Sequence, residues 1–123
     1  MIRCVALASL ATFVSSAVAA QETGGAEQQA FNHHCRMCHS SKPDDNRLGP
    51  SLFGIVGREA ASVQGYSYSD SMKNSGLTWN EGELDKFIAN PEAVVPSNGM
   101  KPFTGVGDPQ QRALIIAFLK KTH

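Results

Sequence analysis

The stretch His33-His34-Cys35-Arg36-Met37-Cys38-His39-Ser40 places two cysteines three positions apart, with a histidine directly after the second. The whole chain has only 3 cysteines in 123 residues, so two of them here need a chemical reason. Three readings compete. A redox dithiol of the thioredoxin kind needs a preceding strand and a βαβ context. Here the preceding segment, Ala26 to His34, is polar and suits a helix. Half of a zinc site needs further ligands at suitable spacing, and no second cysteine pair exists. His33, His34 and His123 form no downstream ligand pair. Covalent haem attachment is the reading that Cys-x-x-Cys-His supports best. Residues at i and i+3 share one helix face, so both thiols can add to vinyl groups along one porphyrin edge. That anchoring carries His39 beneath the iron as the fifth ligand.

Outward from the motif, the chain divides at about residue 20. Arg3 gives a basic start, Cys4 to Val14 forms a short apolar run, and Ala17 to Ala20 supplies small residues. This is the layout of a secretory signal peptide, removed before Gln21. The alternative is retention as a membrane anchor, for which the apolar run is short. Cys4 lies too close to the terminus, and without the flanking pattern, to be a lipidation site. Cleavage removes Cys4 and leaves only Cys35 and Cys38 in residues 21–123. An exported protein usually commits its cysteines to disulfides. The sole pairing available here is local, and the haem reading takes both thiols instead.

Residues 21–123 are enough for one domain. Lysine plus arginine number 11, as do aspartate plus glutamate. That balance argues against nucleic acid as a partner. The expectation is a monomer, exported to the periplasm, without stable membrane insertion.

A histidine-ligated iron takes methionine or histidine on its other face. His33 and His34 lie on the proximal side, and His123 ends the chain. Met37, between the cysteines, is expected to point away from the haem. Met72, in Tyr66 to Gly76, suits ordinary packing. Met100 stands in a loop bracketed by Pro96 and Pro102 and containing Gly99 and Gly105. Such a loop can wrap a flat cofactor and turn a side chain inward, so Met100 is the candidate sixth ligand.

Helix signals appear at three places. Thr78-Trp79-Asn80-Glu81 reads as a capping box with Thr78 as the cap, followed by Leu84, Phe87 and Ile88 on one face and a stop at Asn90-Pro91. Asp108-Pro109 reads as a cap and first turn. Leu114, Ile115, Phe118 and Leu119 then recur at helical spacing. A first helix is expected from about Ala26 through the cysteine motif.

These segments together resemble the class I cytochromes c, of the mitochondrial type and its periplasmic bacterial relatives. The resemblance rests on Cys35 to His39, Arg47 to Ala60, Gly65 to Pro91, Val94 to Gly105 and Arg112 to Lys121, and spans nearly all of residues 26–123. It implies a small all-α fold wrapped around one covalently attached haem c, with the first and last helices crossing where Phe31 meets Phe118. It implies that the Pro50 carbonyl accepts the second ring N–H of His39. Trp79 and Tyr68 are implied as donors to a haem propionate, Arg58 as its counter-charge, and Asn98 as a further propionate donor. In function it implies a one-electron carrier, not an enzyme. Redox proteins are its implied partners: a membrane cytochrome complex or dehydrogenase on one side, an oxidase or other terminal acceptor on the other. The alternative function is a haem enzyme or sensor with a labile sixth site for peroxide or a small gas.

Four positions depart from the family pattern. Phe87 stands where many relatives carry a tyrosine bonded to the ligand sulfur. Glu27 stands where glycine is common at the helix crossing, which leaves Ala26 or Ala30 to admit the close approach. Glu92 and Ala93 replace lysines used for docking, so encounter is expected to rely on an apolar rim that includes Phe103 and Val106.

Overall fold

The computed structural model describes residues 19–123, and their side chains from Gly25 onward. The expected signal segment, residues 1–20, therefore lies outside the described residues except for its last two. Five helices follow in order: α1 (Ala19–His34), α2 (Asp70–Lys73), α3 (Glu81–Ala89), α4 (Pro91–Val94) and α5 (Pro109–Lys120). No strand occurs among the described residues, only an isolated antiparallel bridge between Glu59 and Thr78. The class is all-α, as expected.

Several helix starts follow from side-chain oxygens that accept otherwise orphaned N–H groups. At α5, Asp108 accepts from Gln110 N at 2.9 Å and Pro109 occupies the first turn. At α3 the cap is Asn80, which accepts from Glu83 N at 2.8 Å. The expected cap, Thr78, is two residues too early. Its backbone belongs to the bridge with Glu59, and the neighbouring Trp79 N–H donates to Arg58 O at 2.8 Å, so the chain is still extended there. Asn90 ends α3 and also caps α4, accepting from Ala93 N at 3.2 Å, with Pro91 following at a position that needs no N–H.

α1 stops at His34, short of the cysteines. The motif continues as turns: Cys35 N donates to Phe31 O at 2.8 Å, Cys38 N to Cys35 O at 3.1 Å, and His39 N to Cys35 O at 2.9 Å. The spacing logic survives, because these bonds keep Cys35 and Cys38 within one tight turn.

α1 packs on α5. Phe31 and Phe118 meet at their crossing with ring centroids 4.5 Å apart. Ala30, only 3% exposed, is the small residue that admits the approach. Glu27 is accommodated by pairing with Lys121. Ile115 is fully buried, and Ile116 and Leu119 join it; burying each such side chain stabilises the fold by about 2 kcal/mol. α3 adds Leu84, Phe87 and Ile88 to the same core, and Arg112 of α5 reaches Asp85 of α3 at 2.7 Å. Gly105 lets the chain return past the end of α3. Its φ is +122°, and a Cβ there would lie 2.1 Å from Ala89 O. Val106 N then donates to Ile88 O at 2.8 Å.

Candidate functional site

The site is built from three groups of residues linked through the irregular segment between α1 and α3. The first surrounds the motif. Cys35 and Cys38 are both free thiols. Burial, with Cys38 nearby, pushes the Cys35 thiol up to about 12. A thiol held that far above neutrality is a poor partner for thiol–disulfide exchange, which weighs against the redox-dithiol reading. Among the described residues no cluster of three or more His, Cys, Asp or Glu side chains can hold a metal ion.

His39 is buried, and its Nδ1 lies 2.7 Å from the carbonyl oxygen of Pro50. A carbonyl only accepts, so Nδ1 carries the proton and Nε2 presents its lone pair. Burial is the first cause that lowers the affinity of His39 for a second proton, and the positive charge of Arg58 acts the same way. The imidazole is thus held neutral and oriented, the form in which it ligates iron. Gly49 sits against this ring: a Cβ built there would fall 2.3 Å from Cε1 and 2.8 Å from Nε2 of His39. The Gly49 backbone is fixed by its N–H donating to Cys38 O at 2.7 Å.

The second group gathers Arg58, Tyr68 and Trp79. Arg58 donates from Nη1 to Phe53 O at 2.7 Å and from Nη2 to Ser51 O at 3.0 Å. It therefore clamps the segment that begins at Pro50. Gly57 N donates to Trp79 O at 2.7 Å, so Arg58 and Trp79 are paired through the backbone. Trp79, 6% exposed, packs on Phe87 at 4.9 Å between ring centroids. Its indole N–H has no protein acceptor among the described residues. Tyr68 Oη accepts from Val63 N at 3.2 Å, which leaves its hydroxyl proton free. Two spare donors beside a guanidinium form a donor set suited to a carboxylate such as a haem propionate.

The third group is the methionine loop. Met100 packs, partly buried, against the core. Asn98 Oδ1 accepts from Met100 N at 2.6 Å. Asn98, expected to donate to a propionate, directs Nδ2 to Glu92 Oε2 at 3.2 Å and to Val95 O at 3.0 Å. Both of its amide hydrogens are thus engaged within the loop. Ser69, next to Tyr68, donates to Asn98 O at 2.9 Å and joins the second group to the third. The other methionines lie elsewhere: Met72 is buried in the core and Met37 is 88% exposed.

Sequence reading passed over Gly49 and Ser69, and noted Glu92 only as a change in docking charge. The Gly49-Pro50 dipeptide offered a signal, since a glycine flanking the orienting carbonyl marks a close approach. For Ser69 no local signal exists, because its partner Asn98 lies 29 residues away; the partners of Glu92, Ser97 and Asn98, are near in sequence but no motif links them to it.

Comparison with known proteins agrees with this arrangement. The cytochrome c family model matches residues 26–123. Cytochrome c2 of Rhodomicrobium vannielii is 47% identical over 97 residues, covering 78% of this chain and 76% of that protein. Cytochrome c2 iso-2 of Magnetospirillum fulvum is 44% identical over 86 residues, covering 70% of this chain and 88% of that protein. Among solved structures, cytochrome cH from Methylobacterium extorquens superposes with a TM-score of 0.70 at 39% identity, covering 78% of this chain and 95% of that one. The oriented neutral imidazole, the paired thiols and the unsatisfied donors fit the group that this family carries. The chain belongs to the cytochrome c family, electron carriers with haem c covalently bound through the cysteine pair.

Proposed function

We propose that residues 21–123 act as a monomeric one-electron carrier in the bacterial periplasm. Electrons would pass from a membrane cytochrome complex or dehydrogenase to an oxidase or other terminal acceptor. Haem c, when bound, supplies a single ferric/ferrous couple. The chain's own residues then have separable tasks. Cys35 and Cys38 supply the two sulfurs that make attachment permanent. His39 offers Nε2 while Pro50 fixes its tautomer and ring plane. Met100 would supply a soft thioether as second ligand, which would favour the reduced state and leave no position for small ligands. Trp79 and Tyr68 donate to a propionate whose charge Arg58 offsets. Asn98 serves the site through the Met100 backbone.

The observation that carries this reading is the 2.7 Å contact between His39 Nδ1 and Pro50 O beside the two free thiols. It supports an imidazole dedicated to a fixed axial bond. No helix among the described residues is long and apolar enough to cross a membrane. The test is mass spectrometry of the protein exported from a host competent in haem attachment. The expected mass is residues 21–123 plus one haem, retained after acid-acetone extraction. Bare polypeptide would overturn covalent attachment, and a mass that includes residues 1–20 would overturn cleavage. Potentiometric titration should follow a single one-electron curve.

A further inference from the structure

The loop that carries Met100 holds a conformation that it does not favour by itself. Ser97 has φ +58° and Gly99 has φ +87°, so a left-handed turn stands on each side of Asn98. For a serine that conformation is uncommon and persists only where neighbours impose it. Hydrogen bonds on both sides of the turn impose it. Glu92 Oε1 accepts from Ser97 N at 2.8 Å, and Glu92 Oε2 accepts from Asn98 Nδ2 at 3.2 Å. From the carbonyl side, Ser71 Oγ donates to Ser97 O at 2.7 Å and Ser69 Oγ to Asn98 O at 2.9 Å. One carboxylate therefore holds the backbone N–H of the strained residue and the side chain that grips Met100 N at 2.6 Å.

We propose that Glu92 is a positioning residue for Met100: its carboxylate latches the Ser97–Asn98 turn and so sets how readily the methionine leaves the iron. This rests on the reading of Met100 as the sixth ligand. Glu92 sits on the one-turn helix α4, which Asn90 and Pro91 fix against the end of α3, so the latch is anchored to the core and not to another part of the loop. Both of its contacts are charge-assisted, the stronger kind of hydrogen bond. Losing them leaves Asn98 held only by Val95 O at 3.0 Å, and so loosens the amide whose oxygen orients Met100.

The test uses the ferric holoprotein at neutral pH. Two readouts are the long-wavelength charge-transfer band of methionine-ligated haem and the affinity for added imidazole, which binds only when the methionine is displaced. Glu92→Ala should bind imidazole about tenfold more tightly than the parent. Glu92→Gln keeps an acceptor for Ser97 N–H but not a second one for Asn98, and should shift affinity by about threefold. Asp85→Ala breaks a remote contact between α3 and α5 and should stay within about twofold of the parent. Met100→Ala should abolish the band. If both Glu92 variants stay within about twofold of the parent while Met100→Ala loses the band, the latch is wrong and the ligand reading stands. If Asp85→Ala loosens the methionine as much as Glu92→Ala, the effect is general softening and the latch is again overturned. If Met100→Ala keeps the band, the ligand reading fails and takes the latch with it. Should Glu92→Ala not accumulate as holoprotein, Glu92→Gln decides alone.

Discussion

A side chain at Gly49 would place its Cβ 2.3 Å from Cε1 of His39, inside any permitted contact distance. The ring cannot yield without giving up Nδ1 to Pro50 O, and the Gly49 backbone is tied to Cys38. Gly49→Ala should therefore lower the unfolding free energy of the ferric holoprotein by about 1–3 kcal/mol, the cost of overpacking. Gly25→Ala meets nothing within 4 Å and lies inside α1. It should be neutral or stabilising by up to about 1 kcal/mol. Denaturant unfolding of the two variants checks the contrast, and equal midpoints would refute it.

Replacing Met100 by Ala should lower the reduction potential and let carbon monoxide or cyanide bind, because a soft thioether that favours the reduced state is lost. The measurement is potentiometry together with ligand-difference spectra. An unchanged potential and spectrum would pass the role of sixth ligand to Met72.

The features legible in the sequence were those whose cause is local. Asp108-Pro109 announced α5 because cap and first turn adjoin, and Leu84, Phe87 and Ile88 marked the buried face of α3 by their period alone. The cap of α3 was misplaced because Thr78-x-x-Glu81 and Asn80-x-x-Glu83 are equally good local patterns. What separates them is the backbone pairing of Thr78 and Trp79 with Arg58 and Glu59, which is tertiary. Asn98 was assigned by resemblance to a propionate, whereas its amide goes to Glu92 and Val95. A carboxylate at position 92 supplies an acceptor that the resemblance does not anticipate.

Burial raises the Tyr68 phenol above its ordinary value, and Arg58 only partly opposes this. The folded protein thus holds the proton more tightly than the unfolded chain. The stability linked to Tyr68 is fully present below about pH 10 and is lost as the pH climbs through the folded value. Unfolding free energy measured from pH 9 upward should fall less steeply in Tyr68→Phe than in the parent. At neutral pH the same variant should lose about 1 kcal/mol, since Val63 N–H forfeits its acceptor. Parallel declines in the two proteins would contradict the linkage.

Lys101 is the only lysine between Pro91 and Gly107, and it is exposed directly after Met100. A deprotonated amine is a competent ligand, and ligation selects that form. Lys101→Ala should move the midpoint of the alkaline transition upward, read from the same long-wavelength band. An identical titration would assign the exchange to another group.

Docking to redox partners should depend weakly on salt, and the structure alters the reason. Glu92 accepts hydrogen bonds from Ser97 and Asn98, both neutral donors, and is exposed, so it keeps its negative charge. Asp45 and Arg47 pair at 3.0 Å and largely cancel. Arg36, Lys42 and Lys101 are left against Asp44 and Glu92, a sparse field that ionic strength screens over about 8–10 Å. The apolar rim is also differently composed. Val106 is only 5% exposed and cannot serve, whereas Met37 and Leu48 are 88% and 77% exposed. They are brought together because Gly49 N bonds to Cys38 O, which makes each of them one residue from that contact and places both beside the haem-attachment turn. Two large exposed apolar groups at that place suit the small contact of a transient electron-transfer encounter. Leu48→Ser should slow electron transfer to the native acceptor severalfold with the potential unchanged. The parent rate should fall by less than about tenfold between low and moderate salt. A steeper fall, with Leu48→Ser behaving as the parent, would place recognition in the charges and not in the rim.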